Sequence, residues 1–382
     1  MVRIEFTSTI GRANELPAGA AADVFLAPGF VDIQVNGFAG VDYNDPATPA
    51  EAMAASIDRL FQTGVTRFLP TVITGSRERM TAALRRLAEA KQEFRRAGLA
   101  AAEAIAGFHV EGPHISPEDG PRGAHPAAHV RPPDLEEFQR WQEAATGEVR
   151  LVTVSPEYRD APRYIAALAD AGVAVAIGHT RATSAQIRAA VDAGATLATH
   201  LGNGAHTVLH KTSNYIWDQL AEDRLTASFI VDGIHIPQPF LTAALRCKGT
   251  GRSVLVTDAV MPAMCPPGPY RLGEVPVELL PDRRVVVRGS TRLAGSALTM
   301  DRAVGNCVRL GGVPLHAALA MATVNPARAV CMVGRQQGFA AGEAADFVRF
   351  HWDESTHSVT VLETIVAGKT VYRHPECATS RI

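Results

Sequence analysis

The sequence has little net charge and no long apolar run. Its 382 residues include 37 Lys and Arg against 39 Asp and Glu, which gives a formal charge of -2. This balance gives no electrostatic reason to expect nucleic acid or an anionic membrane as a partner. The apolar stretches are strand-sized, and the first 30 residues lack the charged start and apolar core of a secretory signal. We therefore expect no membrane partner and a cytoplasmic location.

The sequence is also poor in cysteine. The five cysteines form no CxxC pair and are odd in number; they are Cys247, Cys265, Cys307, Cys331 and Cys377. A disulfide framework uses an even set of cysteines, so we expect reduced thiols instead. Hydrophobic residues, by contrast, make up 47% of the chain, enough for a large core.

Eight short apolar runs alternate with Ala-rich segments of helical character. The runs span residues 30–37, 66–73, 104–112, 149–156, 173–180, 195–203, 225–233 and 253–259. Each is rich in Val, Ile, Leu, Phe or Thr and is stopped by a polar residue, Gly or Pro, as in strands buried on both faces. Alternating strands and helices predict an α/β fold, and eight units in roughly 250 residues predict a (β/α)8 barrel of the TIM type. The alternative is an open doubly wound sheet.

β-prone segments at the two termini lie outside the predicted barrel. We predict that residues 1–27 and 336–382 pair into a small β-sandwich-like domain beside a catalytic barrel at 28–335, because the termini of domains often lie close together. Alternatively, both segments cover the bottom of the barrel as separate strands. Residues 261–293 are rich in Pro and Gly at their start and indicate an excursion after the eighth strand, such as a hairpin.

Three predicted strand ends carry side chains that bind metals. Glu111 precedes Gly-Pro, and His179 and His200 end successive strands 21 residues apart. One carboxylate and two imidazoles suit a borderline divalent cation such as zinc, with one coordination position left for water. A lone histidine at a strand end is more often structural, but the three residues together favour a catalytic metal site.

Other polar residues fall on the same predicted rim. Asp258 ends the last strand, where a carboxylate can take a proton from an attacking water and return it to a leaving group. The alternative role for Asp258 is to cap the following turn. His125, Asn203 and His235 lie in rim loops, where such groups polarise carbonyls or hold hydroxyls. For the remaining rim histidines we expect exposure to solvent; these are His114, His129, His206 and His210.

A series of nine motifs, in this order and spacing, resembles the amidohydrolase superfamily and, within it, the N-acetylglucosamine-6-phosphate deacetylases. The motifs are PGFVDIQVNGFAGVDYND, HVEGP, GAHP, IGHT, THLGN, DGIH, VTDA, GSALTM and MATVNPARA. The resemblance covers the chain from about Pro28 to VAGKTVYR. It implies a metal-dependent hydrolase that converts N-acetylglucosamine 6-phosphate to glucosamine 6-phosphate and acetate. It also implies a homodimer and one divalent ion, expected to be Zn²⁺, with Fe²⁺, Mn²⁺ or Co²⁺ as alternatives.

The resemblance implies a role for each site residue. The metal ligands would be Glu111, His179 and His200, and the catalytic aspartate would be Asp258. His125 matches the residue that polarises the acetyl carbonyl. Substrate contacts are implied for Asn203, Gly204, His235 and Lys211.

Gln34 and Asn36 occupy the place where many amidohydrolases have the His-x-His of a second metal. Amide side chains are poor ligands for borderline cations. We therefore expect one tightly held ion and a vestigial second position.

Two departures from the family pattern concern the phosphate and the small domain. The family has Asn-Ala-Met and then an Arg-Glu-Pro-Gly turn, whose arginine comes from the neighbouring subunit and grips the phosphate. This chain has NGAHTVLHKTSNYIW instead. Lys211 offers a point charge without the bidentate fork of arginine, so it is a partial substitute. The segment before Pro28 is short, so we expect a small domain that is reduced on its N-terminal side.

Three alternatives remain open. The same chemistry could act on an unphosphorylated or a galacto-type N-acetylhexosamine. A different amidohydrolase would act on a cyclic amide or an N-acyl amino acid. A catalytically silent barrel would only bind a sugar or a partner protein.

Overall fold

The computed structural model describes residues 23–375. The strands are β1 (Val24–Pro28), β2 (Phe30–Val35), β3 (Gly37–Phe38), β4 (Val41–Asp42), β5 (Val65–Ile73), β6 (Phe108–Glu111), β7 (Val149–Val154), β8 (Ala174–Ile177), β9 (Leu197–Ala198), β10 (Thr226–Phe229), β11 (Ser253–Leu255), β12 (Gly268–Leu272), β13 (Val275–Leu279), β14 (Val285–Val287), β15 (Phe347–Asp353), β16 (Ser358–Val366) and β17 (Lys369–Arg373).

The α-helices are α1 (Ala50–Phe61), α2 (Arg77–Arg96), α3 (Ala101–Ala104), α4 (Leu135–Ala144), α5 (Ala161–Asp170), α6 (Ser184–Asp192), α7 (Tyr215–Ala221), α8 (Gln238–Lys248), α9 (Met300–Gly311), α10 (Leu315–Ala322) and α11 (Val324–Ala329). Short 3-10 turns span Ala127–His129 and Thr250–Arg252. No helix within residues 23–375 is both long and apolar enough to cross a membrane.

Eight parallel strands form the barrel in the order of the chain. The sheet runs β2, β5, β6, β7, β8, β9, β10 and β11, each strand next to its successor. A parallel bridge between Val35 and Ala259 joins the first strand to the segment after the last. An open doubly wound sheet would reverse its strand order at a switch point. The sequential order and the bridge therefore confirm the predicted (β/α)8 barrel.

The crossover helices form where the sequence supplies caps and an apolar stripe. At the start of α2, the Ser76 hydroxyl accepts a hydrogen bond from the backbone of Arg79, and Met80, Leu84 and Leu87 recur at helical spacing on the buried face. At the start of α6, Thr183 and Gln186 form a reciprocal capping box. These helices cover the outer face of the barrel strands, which leaves the strand ends as the place for polar groups.

Most barrel strands end earlier than the apolar runs predicted. His179 and His200 each lie two residues beyond β8 and β9, and Asp258 lies three residues beyond β11. These three residues have positive φ angles of 48°, 28° and 49°. A strand cannot continue through this conformation, so these three groups follow their strands, whereas Glu111 is the last residue of β6. The predicted start of the third strand at residue 104 is wrong, because that residue belongs to α3.

Strands from both ends of the described chain form a small second domain. β1 pairs antiparallel with β15, and β16 and β17 complete a sheet of four strands. Within residues 23–375 this domain is a single sheet. The expected boundaries, 1–27 with 336–382 and then 28–335, stay a prediction, and residues 1–22 and 376–382 lie outside the described residues.

The excursion after the last barrel strand folds into a third sheet over the barrel mouth. β12, β13 and β14 pair antiparallel, so a third strand extends the expected hairpin. Leu272 and Leu279 pack with Ile73 and Val260 in a separate apolar cluster. This sheet therefore belongs to the wall of the mouth.

Asp346 connects the small sheet to the barrel. Its carboxylate is fully buried and accepts hydrogen bonds from Arg67 Nε at 2.6 Å and from the backbone N–H of Ala367 at 2.7 Å. Arg335 Nε lies 3.5 Å from the same carboxylate. One buried anion thus balances two cations where β5, the terminal sheet and the segment after α11 meet.

We expect Asp346→Asn to lower the free energy of unfolding by about 3 kcal/mol, because it leaves two largely buried arginines without their counter-charge. Urea unfolding followed by circular dichroism measures the change. Asp170→Asn, at an exposed carboxylate on α5, is the matched control and should stay within about 0.5 kcal/mol of the parent protein. An Asp346→Asn protein as stable as this control would contradict the role of Asp346.

Candidate active site

Glu111, His179 and His200 converge at the carboxyl end of the barrel. Glu111 Oε1 lies 3.2 Å from His179 Nε2 and 2.9 Å from His200 Nε2, and the two Nε2 atoms are 3.1 Å apart. All three side chains are buried. The structure thus brings the three predicted metal ligands together.

Backbone contacts hold the residues of the site in their positive-φ conformations. Each such residue costs about 1 kcal/mol or more, so its surroundings must fix it. The His200 N–H donates to Ser228 Oγ at 2.7 Å, and the carbonyl of His179 accepts from the Ser116 N–H at 2.8 Å. The carbonyl of Asp258 accepts from the Ser296 N–H at 2.9 Å. Neighbouring loops therefore aim these side chains into the barrel mouth.

The donor set fits a divalent cation. His179 Nδ1 lies 2.9 Å from the carbonyl oxygen of Pro121, which can only accept, so Nδ1 carries the proton and Nε2 offers a lone pair. Around a tetrahedral cation with bonds of about 2.0 to 2.1 Å, ligand atoms are about 3.3 Å apart, close to the separations seen here. Burial raises the pKa of Glu111, but its contacts with the imidazoles of His179 and His200 together outweigh burial and bring the pKa well below its usual value. Glu111 is therefore an anionic ligand.

Two amide side chains hold the carboxylate of Asp258. Its Oδ1 accepts from Asn36 Nδ2 at 2.6 Å and from Gln34 Nε2 at 3.2 Å. Gln34 Nε2 also donates to Glu111 Oε1 at 2.9 Å, so this amide bridges both carboxylates. Burial, reinforced by the charge of Glu111, raises the pKa of Asp258 to about 7. The vestigial second-metal role stays a prediction; here both amides act as donors to carboxylates.

His125 faces the same site from the loop after β6. Its ring lies 4.4 Å from the ring of His179, and burial lowers its pKa to about 3, so His125 is neutral. His125 Nδ1 and Thr74 Oγ1 are 2.8 Å apart. A Thr74 hydroxyl that donates to Nδ1 leaves the N–H on Nε2, available to a ligand. Thr74 has no predicted role, although it directly follows β5 and is a polar residue at a strand end like the others.

His235 is oriented by Asp232. His235 Nδ1 lies 2.7 Å from Asp232 Oδ2, and Asp232 Oδ1 accepts from the backbone N–H groups of Ile234 and His235. Burial raises the pKa of Asp232, but the hydrogen bond and charge of His235, together with the backbone N–H groups of His235 and Ile234, outweigh burial and bring the pKa below its usual value. Asp232 is a second residue that the sequence analysis left unassigned, although it belongs to the DGIH motif.

A cavity of about 110 Å³ at the barrel mouth is lined by the metal ligands and the polar residues around them: Glu111, His179, His200, Asn36, His125, His235 and Asp258. Asn203 and Gly204 belong to its wall, and Leu272 and Leu293 cover it from the side of the third sheet. Gly204 has a φ of 55°, and a Cβ at this position would lie 2.7 Å from His179 Nδ1. Glycine therefore lets the loop after β9 approach the metal ligand closely.

Two of the residues singled out in the sequence lie outside the cavity of the single chain, and the role of Lys211 in substrate binding stays a prediction. Lys211 is exposed on the loop before α7 and does not line the cavity; its carbonyl accepts from Trp217 Nε1 at 3.2 Å. The expectation that His114 is exposed is wrong. His114 is fully buried, with its ring 5.3 Å from Trp141 and 5.2 Å from Tyr164. Its aromatic neighbours come from α4 and α5, distant in sequence.

Comparisons with known proteins agree with this geometry along almost the whole chain. The sequence profile of the Amidohydrolase family matches residues 25–371. N-acetylglucosamine-6-phosphate deacetylase of Bos taurus is 34% identical over 360 residues, which cover 92% of this chain and 84% of that protein. N-acetylgalactosamine-6-phosphate deacetylase of Escherichia coli O157:H7 is 34% identical over 327 residues, which cover 85% of this chain and 82% of that protein.

A solved structure is similar to the same extent. It is a mutant N-acetyl-D-glucosamine-6-phosphate deacetylase from Mycobacterium smegmatis in complex with N-acetyl-D-glucosamine-6-phosphate. It superposes with a TM-score of 0.81 at 32% sequence identity, covering 93% of this chain and 90% of that one.

We expect His179→Asn to lose the metal, because the site would keep only two of its three protein ligands. Elemental analysis by mass spectrometry, after expression in metal-supplemented medium, should find about one ion per chain in the parent protein and less than about a tenth in the variant. His316→Asn, at an exposed histidine on α10, is the control and should keep its ion. Full metal content in His179→Asn would contradict the assignment.

Proposed function

The chain belongs to the amidohydrolase family, and we propose that it is a metal-dependent carbohydrate deacetylase whose preferred substrate is N-acetylglucosamine 6-phosphate. The products would be glucosamine 6-phosphate and acetate. The observation that carries this proposal is the convergence of Glu111, His179, His200 and Asp258 on one cavity. Relatives that act on acetamido sugar phosphates by name, and that match most of the chain, support the substrate class.

The residues of this chain divide the hydrolysis between them. Glu111, His179 and His200 would hold the divalent cation, which when bound supplies Lewis acidity for a water and for the acetamide carbonyl. We propose Zn²⁺, and the same nitrogen and oxygen donors also accept Fe²⁺, Mn²⁺ or Co²⁺. One cation is proposed instead of two, because Gln34 and Asn36 already turn their N–H groups towards carboxylates.

Asp258 moves the proton. It takes a proton from the attacking water and delivers it to the nitrogen of the leaving amine, so the C–N bond breaks as acetate forms. Burial raises the pKa of Asp258 above the usual carboxyl value, which favours its uptake of a proton. Asn36 and Gln34 fix its orientation for both transfers.

His125 binds the carbonyl oxygen of the acetamide. As a neutral imidazole with its Nδ1 held by Thr74, it donates from Nε2 to the negative charge that develops on this oxygen. His235, fixed by Asp232, and Asn203 are placed to hold sugar hydroxyls at the cavity wall. Gly204 lies at the same wall, where its backbone groups would contact the substrate.

A galacto-type substrate is the second candidate. Relatives named N-acetylgalactosamine-6-phosphate deacetylase share 34% identity with this chain, as much as the bovine glucosamine enzyme does. An unphosphorylated sugar is a further candidate, because the chain has no arginine between Asn203 and Arg224, where the family resemblance implies a phosphate-binding one, and Lys211 is only a partial substitute. A silent barrel is less well supported, because all four residues of the metal and proton chemistry are present.

We also propose a cytoplasmic homodimer. Two large apolar side chains are exposed near the loop that carries Lys211: Val208 is 85% exposed and Trp217 is 47% exposed. A partner subunit would cover them and would bring Lys211 to the neighbouring site. The odd number of cysteines, without a CxxC pair, favours a reducing compartment.

Asp258→Asn should lower turnover by about a thousandfold, because loss of a general acid and base typically costs 10² to 10⁴ in rate. Metal content should stay that of the parent, since Asp258 is outside the ligand set. Acetate release and elemental analysis on the same sample separate the two effects, with Asp170→Asn as the control. Near-normal turnover in metal-loaded Asp258→Asn would rule out the proton transfer assigned to this residue.

Thr74→Val should lower kcat about tenfold and leave KM nearly unchanged, because the neutral His125 loses the partner that fixes its tautomer. Thr74→Ser keeps the hydroxyl and should restore most of the activity. Steady-state kinetics on the three proteins provides the measurement. Equal kcat values for the Val and Ser variants would show that the hydroxyl does not position His125.

Lys211→Met should raise KM for the phosphorylated sugar about tenfold and leave the free sugar unaffected, because it removes a charge that meets the phosphate. Lys211→Arg should keep or lower KM through its bidentate fork. Kinetics on both sugars provides the measurement. Equal effects on both sugars would argue against a contact with phosphate.

Mixed dimers test whether Lys211 acts across the interface. Chains with Asp258→Asn are mixed with chains that carry Lys211→Met. If Lys211 acts in the neighbouring site, hybrids contain one complete site, and activity with the parent KM reappears on mixing. If activity keeps the high KM of the Lys211→Met protein, Lys211 does not serve the neighbouring subunit.

A further inference from the structure

A second cavity, the basal cavity, lies at the end of the barrel opposite to the active site. It encloses about 380 Å³ and shares no lining residue with the active-site cavity. Its walls come from the amino-terminal ends of β5 and β7, the segments before β6 and β8, α2, α3, and residues 330–335 after α11. It therefore sits where the barrel meets the terminal sheet.

Five cationic side chains line the basal cavity: Arg67, Lys91, Arg95, Arg150 and Arg335. The lining contains a single acidic residue, Glu103. Two further carboxylates, Glu148 and Asp346, lie within ion-pair distance of these cations. The cations around this cavity therefore outnumber the carboxylates that pair with them.

Three of the cations form a fixed inner wall. Arg67 contacts both Asp346 and Glu103, and Lys91 forms an ion pair with Glu148. Arg335 is almost fully buried; its Nη2 donates to the Gly29 carbonyl at 2.6 Å, while its Nε makes no hydrogen bond. Each of these three cations is paired with a carboxylate, so the inner wall is close to neutral, but Arg335 Nε is a buried donor without a hydrogen-bond partner among residues 23–375.

The other two cations are free to bind a ligand. Arg95 and Arg150 are exposed, and neither has a carboxylate within ion-pair distance among residues 23–375. Arg95 Nη1 donates only to the neutral side chain of Gln92 at 3.0 Å. These two guanidinium groups therefore give the cavity its excess positive charge, which favours an anion as ligand.

We propose that the basal cavity binds a small phosphate-bearing metabolite through Arg95, Arg150 and the inner wall. Guanidinium groups match the oxygens of a phosphate in bidentate geometry. A cavity of 380 Å³ is in the range of small-molecule sites. This inference uses no residue of the active site and goes beyond the proposed deacetylase activity.

Occupancy of the basal cavity would stabilise the joint between the two domains. Arg67 and Arg335 both contact Asp346, which accepts a hydrogen bond from the terminal sheet. An anion beside these arginines offsets their mutual repulsion. Because the ligand binds the folded state only, it raises the melting temperature, and above Kd the rise grows with the logarithm of the ligand concentration.

Calorimetric titration of the full-length, metal-replete enzyme tests the proposal. The probes are inorganic phosphate and glucose 6-phosphate, which has a phosphate ester but no acetamide, at an ionic strength held constant with sodium chloride. We expect saturable binding that weakens at least tenfold in the double variant Arg95→Gln/Arg150→Gln. Metal content, kcat and KM of that variant should stay those of the parent.

Two matched variants sharpen the test. Arg188→Gln/Arg246→Gln removes two exposed arginines from α6 and α8, outside the basal cavity, and should bind the probes as the parent does. Glu103→Gln removes the carboxylate from the lining and should tighten binding severalfold.

Two results would overturn the proposal. One is the absence of saturable binding to the parent enzyme. The other is an affinity of Arg95→Gln/Arg150→Gln equal to that of the control, which would place the anion elsewhere, including the active site.

Discussion

Barrel closure through the bridge between Val35 and Ala259 brings the first and last strands of the barrel side by side. It places the amides of Gln34 and Asn36 against the carboxylate of Asp258. Without these donors, two buried carboxylates would face each other across the mouth with no neutral group between them, at a high desolvation cost. Metal binding by Glu111, His179 and His200 and proton transfer by Asp258 both depend on this closure.

A second constraint is the backbone at the strand ends. His179, His200 and Asp258 leave their strands in a strained conformation that loop contacts hold in place. The strain turns each side chain from the wall of the barrel into its mouth. Regular strands supply rigidity, and the irregular backbone just beyond β8 and β9 directs His179 and His200 towards Glu111 at the end of β6, so the three ligand atoms lie 2.9 to 3.2 Å apart.

Much of the site could be predicted from the sequence, because a polar residue at the end of an apolar run stands out. Glu111, His179, His200 and Asp258 share that signal, and Thr74 carries it too but was left unassigned. The strand ends could not be predicted, because positive φ leaves no mark on apolar patterning. The burial of His114 depends on Trp141 and Tyr164 from later helices. The basal cavity could not be predicted either, because its arginines are distant in sequence, from β5 to the segment after α11, and come together only in the fold.

The central claim is hydrolysis of a sugar acetamide, with a preference for the phosphate ester. Acetate release from N-acetylglucosamine 6-phosphate and from unphosphorylated N-acetylglucosamine, measured side by side with metal-replete enzyme, tests it most directly. The account predicts acetate from the phosphorylated sugar with the higher kcat/KM, and loss of release when the metal is chelated. Equal or faster turnover of the free sugar would contradict the phosphate preference. No acetate from either sugar would contradict the proposed activity.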